Sequence, residues 1–139
     1  MGIFSVNAYA FNNAGRVHVE IKNTTAKICH LRNYDSVSGA LESPPPSVLL
    51  PNENKAFDTY QTKNGIYISF NFACGDSEMD LDNDTISFAI EQEYVKQENQ
   101  KPAVLIQTSR GVWLTSSVTS SSIAKDTQSS ATLTIKQLS

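Results

Sequence analysis

Three stretches of this chain alternate apolar with polar residues along their whole length. Over residues 16–22, Val17, Val19 and Ile21 fall on one side, with His18 and Glu20 on the other. Over residues 65–73, Ile66, Ile68, Phe70 and Phe72 oppose Tyr67, Ser69 and Asn71. Over residues 85–94, Ile86, Phe88 and Ile90 oppose Ser87, Ala89 and Glu91. Successive side chains of a strand point to opposite faces, so each stretch predicts a strand with one buried and one wet face. Two sheets that hide such faces against each other make a β-sandwich. The ten apolar residues just named are its predicted core.

The rest of the chain reads as shorter strands and turns. Residues 3–11 predict a first strand. Asn12-Asn13-Ala14-Gly15 is turn chemistry that would fold it back as a hairpin onto 16–22. Residues 26–32, 48–50 and 55–59 predict further strands. The segment 33–51 is the least regular, because Pro44-Pro45-Pro46 forbids a central strand and favours extended polyproline geometry. Residues 74–84 form an acidic loop. Residues 103–108 and 111–118 flank Ser109-Arg110 as an expected tight hairpin. A Ser- and Thr-rich stretch, 116–130, predicts a long loop before a last strand at 131–138. No repeat and no amphipathic helix stands out. The prediction is one all-β domain spanning residues 1–139, a two-sheet β-sandwich.

Composition narrows the function. The chain has 139 residues, 18% of them charged, and a net charge of −3. Without a basic run, nucleic acid is not an expected partner, and a polybasic hold on anionic lipid is not expected either. The first residues, Met1-Gly2-Ile3-Phe4-Ser5-Val6, have neither a cationic region nor a long apolar core, so they do not read as a secretory signal. Val6 stands where myristoylation wants Ser or Thr. No apolar run approaches the roughly 20 residues that span a bilayer. The expectation is a protein made in soluble form, without a signal peptide, and acting after release.

The motif census points away from an enzyme. There is no G-x-S-x-G, H-E-x-x-H, P-loop or G-x-G-x-x-G, and no cofactor or metal is implied. His18 and His30, the two histidines, lack a placed nucleophile. Asp80, Asp82, Asp84 and Glu91 have the spacing of an EF-hand loop, but Thr85 occupies the position that needs Gly and the flanks alternate as strands. A solvated acidic loop is the better reading. Cys29 and Cys74 are too few for a disulfide framework or a zinc site, and two small core thiols are favoured over a bridge. A bridge would need their strands to face each other. Asn23-Thr24-Thr25 and Asn83-Asp84-Thr85 match the glycosylation sequon but read as turns.

Trp113, the single tryptophan, leaves two placements open. If Leu114 faces the core, Trp113 faces solvent beside Arg110, as a headgroup or glycan site would use it. If Trp113 is the core residue, Val112 and Leu114 are the exposed pair. Trp113, Arg110, Tyr67 and Tyr60 are the candidate contact residues, being aromatic or cationic groups near a turn or on a polar strand face.

The order of elements over about residues 16–95 resembles the aegerolysins. The carriers are the alternating strand Arg16-Val17-His18-Val19-Glu20-Ile21-Lys22 ending in Asn23-Thr24-Thr25, the irregular Pro-containing segment, the Pro51-Asn52-Glu53-Asn54 turn with Phe57, and Asn64-Gly65 entering a second alternating strand. The resemblance implies a small sandwich that binds membrane lipid, in the manner of the small component of bacterial binary insecticidal toxins. It implies as partners a membrane lipid or receptor on a target cell and a larger second toxin component, with self-association left open. Fungal aegerolysins are rich in tryptophan and this chain is not, so their lipid specificity is not carried over. A lectin-like glycan-binding module is the alternative, since sugars also stack on exposed rings; a self-assembling structural protein fits the composition too.

Overall fold

A computed structural model describes residues 15–76, 84–96, 102–123 and 128–138. They form ten strands: β1 (Arg16–Asn23), β2 (Ile28–Ser38), β3 (Ala40–Leu41), β4 (Val48–Leu49), β5 (Asn54–Tyr60), β6 (Ile66–Gly75), β7 (Asp84–Gln92), β8 (Val104–Ser109), β9 (Leu114–Ile123) and β10 (Gln128–Gln137). There is no helix among the described residues. The strands make two five-stranded sheets, ordered β3-β5-β1-β10-β9 and β4-β2-β6-β7-β8. The chain is therefore an all-β, two-sheet sandwich. Every pairing is antiparallel except β1 with β10, which run parallel.

The alternating stretches sit where their pattern demands. β1, β6 and β7 are interior strands, and all ten predicted core residues are buried. Phe57 on β5 meets Phe70 on β6 edge to face at 5.7 Å, so one aromatic contact crosses between the sheets. Phe70 also contacts Phe72 and Phe88, at 6.1 and 5.6 Å between ring centroids. Each such buried ring contributes about 1.5–3 kcal/mol by removal from water.

Elsewhere the structure departs from the expectation. β2 runs on to Ser38, through residues expected to be irregular. Register shifts between Leu31 and Asn33 and between Ser36 and Ser38 break its alternation, and a bulge hides the period-two signal. The stretch 116–130 holds most of β9 and the start of β10, because Ser and Thr suit an exposed edge strand. The expected hairpin about Ser109-Arg110 does not form. β8 pairs with β7 in one sheet and β9 with β10 in the other, so residues 110–113 cross between sheets. The expected strand at 3–11 lies outside the described residues. β5 and β10 flank β1 along its length.

Cys29 and Cys74 are joined by a disulfide, which corrects the expectation of two free core thiols. They lie directly opposite each other on β2 and β6, with Cα atoms 4.0 Å apart and both side chains facing the core. Asn23 is fully buried. Its amide nitrogen donates to the carbonyls of Lys27, Leu49 and Leu50, and its oxygen accepts from the Thr25 amide and hydroxyl. A glycan has no access there, so this sequon is a structural turn. Asn83 lies outside the described residues.

Candidate functional site

The crossing between the sheets is built around one carboxylate. Asp84 opens β7 directly across from Cys74. Its Oδ1 accepts the Val112 amide at 2.9 Å, and its Oδ2 accepts the amides of Trp113 and Leu114 at 2.8 and 2.9 Å. Desolvation pushes the Asp84 pKa up, but the backbone donors Val112, Trp113, Leu114 and Thr85 together outweigh it and hold the carboxyl below its ordinary range. Gly111 lets the chain pass close to this group: a Cβ there would collide with both carboxylate oxygens. The Gly111 amide donates to the Leu114 carbonyl at 3.0 Å, and the Leu138 amide to the Trp113 carbonyl at 2.7 Å.

This clamp settles how residues 110–114 are displayed. Leu114 is fully buried, and Val112 is 85% exposed. Trp113 takes neither extreme, since it is half-buried and packs against the core. A bend rather than a strand holds residues 112–113, so alternation does not govern them. Arg110 is exposed, and among the described residues its guanidinium donates only to the neighbouring Gly111 carbonyl, at 3.4 Å. Leu138 and Leu50 are exposed at the same end; the strand register carries the Leu49 row through Cys29 and Cys74 to Asp84. The result is a rigid tip with an apolar side chain foremost, a cation beside it and an indole behind.

Arg110 and Trp113 are thus brought together. Tyr60 and Tyr67 lie at the opposite end, on the outer faces of different sheets, so the four candidates do not form one surface. Tyr60 belongs to a network on β1 and β5. Its hydroxyl donates to Glu42 at 2.6 Å, and that bond, more than burial, raises its pKa. The Arg16 guanidinium stands 6.0 Å from the Tyr60 ring centre and donates to Asp58 at 2.9 and 3.1 Å. His18 Nδ1 lies 2.8 Å from the same Asp58 oxygen. Tyr67 is exposed between Ser38 and Glu91.

Two residues of the tip escaped the sequence reading. Asp84 stood out only as one of several acidic loop residues, and Val112 looked like a strand residue. Both roles depend on a contact 28 residues apart in sequence, which no local pattern displays.

No family model matches the chain, and no curated protein matches it in sequence. Solved structures do share its fold. The lipid binding protein Nakanori superposes with a TM-score of 0.60 at 8% identity, covering 98% of this chain and 78% of Nakanori. IP-1A of Alcaligenes faecalis gives 0.57 at 11% identity, covering 96% and 99%. The XCL lectin of Xerocomus chrysenteron gives 0.50 at 10% identity, covering 87% and 98%. At these identities the likeness shows the fold.

Proposed function

We propose that this chain is a non-enzymatic membrane-binding component of a two-component pore-forming toxin of the aegerolysin kind, with insects as the target to test first. The observation that carries the reading is the clamped tip. An exposed Val112 with Arg110 and Trp113 beside it has the chemistry of an interfacial anchor, with an apolar group for the acyl boundary and an indole and a cation for the headgroups. Fixing the loop in advance lowers the ordering cost of binding. The fold shared with a lipid binding protein supports the reading. So does the Cys29–Cys74 bridge, because such bonds persist in oxidising surroundings such as those an exported toxin meets. The membrane-spanning strands would come from the larger second component.

The test is co-sedimentation with vesicles and with insect midgut membranes, with and without the product of the neighbouring gene. Val112→Asp and Trp113→Ala should each weaken vesicle binding about tenfold, a loss of ~1.4 kcal/mol. Absence of binding to every membrane in both conditions would end the proposal. The alternative, a glycan-binding module, draws support from the fold shared with the XCL lectin. Binding to immobilised glycans with no vesicle binding would favour it.

A further inference from the structure

The outer faces of the two sheets use their polar groups differently. On the β1–β5 face, Arg16, His18, Asp58, Tyr60 and Glu42 bond to one another. On the outer face of the other sheet, the strand register sets out rows of outward residues. One row is Asn33, Asn71, Ser87 and Ser109; the next is Asp35, Ser69, Ala89 and Gln107; the third is Ser38, Tyr67, Glu91 and Leu105. In the middle row the central strands carry the small Ser69 and Ala89 and the flanking strands the longer Asp35 and Gln107, so the face is hollowed there. A cavity of about 250 Å³ lies over Ser69, Ser87 and Ala89, with Gln107 and Ser109 along one side. A second, of about 320 Å³, continues along β7 and β8 at Glu91 and Leu105.

Among the described residues, the side chains of Ser69, Ser87, Ser109, Gln107 and Asp35 carry no hydrogen bond or ion pair, and the Asn71 amide donates only to Asn33, at 3.0 Å. Their capacity to donate and accept faces outward. Among the described residues no Lys or Arg lines either cavity, and Glu91 and Glu93 border the second. An anionic ligand would meet no counter-charge and some repulsion. A neutral polyol would give its hydroxyl hydrogens to Gln107, Asp35 and the serines and accept from the serine hydroxyls and amides. Tyr67, one outward row beyond Ser69 on β6, offers the exposed ring on which the C–H face of a sugar packs. The first cavity lies below the roughly 300–1,000 Å³ of drug-sized sites, which suits a single ring.

We propose that this hollow is a binding site for a neutral saccharide ring, free or carried as the headgroup of a glycolipid. The site is independent of the tip formed by Arg110, Val112 and Trp113.

The experiment is a titration of the ¹⁵N-labelled protein with glucose, galactose, mannose and N-acetylglucosamine, with inorganic phosphate and sialic acid as anionic controls. Vesicles of phosphatidylcholine with and without glucosylceramide form the second arm. At least one neutral sugar should shift the amides of Ser69, Ser87, Ala89 and Gln107, and the anions should leave them unmoved. Ala89→Trp fills the cavity and should abolish that response. Gln107→Ala, at an exposed edge position that leaves the fold intact, should weaken it, and Tyr67→Ala should cost about fivefold. Retention of glucosylceramide vesicles in the Val112→Asp variant, lost on adding Ala89→Trp, assigns the source to glycolipid. Response to free sugar alone assigns it to soluble or cell-surface glycan. Silence toward all neutral sugars and glucosylceramide, shifts confined to the β1–β5 face, response to anions only, or full binding by Ala89→Trp and Gln107→Ala would each overturn the proposal. Failure of vesicle binding by Val112→Asp with the sugar shifts intact bears on the tip alone.

Discussion

Asp84→Ala should release residues 110–113 while leaving both sheets formed. The carboxylate receives three backbone amides. The Val112 amide sits at the surface and finds water when the acceptor is removed, so its loss costs little. The Trp113 and Leu114 amides are partly shielded, and hydrogen bonds to a charged group contribute about 1.5–3 kcal/mol each. Their sum, roughly 3–6 kcal/mol, is offset by the backbone freedom that the released residues regain, at about 1 kcal/mol for each residue freed. With four residues freed the net expectation is about 0–2 kcal/mol, or a fall in Tm of up to about 8 °C for a domain of this size. Asp84→Asn retains one acceptor oxygen but turns an NH₂ toward a donor, so it should lose more than half of the same amount. Gly111→Ala attacks the clamp from the other side and should resemble Asp84→Ala.

The assay is direct, because Trp113 is the only tryptophan and its emission reports the crossing. Each variant should shift that emission to the red with the β-sheet circular dichroism unchanged below the transition. The pH dependence has a defined sign. The folded pKa of Asp84 lies below its unfolded value, so the contribution is present above the unfolded carboxylate value of about 3.9 and is lost as pH falls through the folded value. The stability gap between wild type and Asp84→Asn should be flat at neutral pH and close in acid. An Asp84→Ala protein with unchanged Tm and emission would refute the clamp. One that loses its sheets as well would refute its locality.

Reduction of Cys29–Cys74, or the double change to Ala, should cost about 2–4 kcal/mol, since the chain-entropy limit for a separation of 45 residues is about 4 kcal/mol; melts with and without dithiothreitol measure it. Asn23→Ala removes the side-chain donor to the Lys27 and Leu49 carbonyls near a buried site, while the Leu50 carbonyl keeps the Glu53 amide; it should destabilise by about 2–4 kcal/mol, read from urea unfolding, and expression in a glycosylating host should leave Asn23 unmodified. Gln61→Ala removes the amide that both donates to the Val95 carbonyl at 3.1 Å and accepts the Val95 amide at 2.7 Å, so hydrogen exchange at Val95 should accelerate by more than about tenfold with little change at β1.

The interior strands were legible because each has one buried face, and burial imposes period two on the sequence. The same rule put Tyr67 on an outward face; Tyr60, just past the strand expected at 55–59, was a candidate as an aromatic group near a turn or on a polar face, and nothing local said that the two belong to different sheets. Period tells which side of a strand a residue occupies; sheet membership is set by pairing with distant segments. The edge strands were harder. Seven of the ten residues of β9 are Ser or Thr, and residues 117–121 are exposed on both faces, so it resembles a loop in sequence. The disulfide required the β2–β6 register, which the bulges in β2 obscure. The tip was illegible for a related reason: its conformation is dictated by a carboxylate from another strand, and the local residues alone look like a hairpin.

The tip and the hollow share a strand. β8 carries Gln107 and Ser109 along the side of the first cavity and leads without interruption into Arg110. The clamp on Asp84 holds the far end of that segment, and pairing with β7 holds the rest. A saccharide held by a bilayer would therefore meet the hollow while Val112 met the lipid beneath it, with no hinge between the two contacts. Two weak contacts on one rigid body act together, because the first sets a high effective concentration for the second. That makes a sharp distinction between two losses. If both sites engage one glycolipid surface at once, Val112→Asp and Gln107→Ala should each lower the affinity for glucosylceramide vesicles by the full factor seen with plain vesicles or free sugar, and the double variant should show the product of the two. If the sites act separately, either one still holds the vesicle when the other is lost, so each single variant should lose little there and the double variant should lose far more than the product.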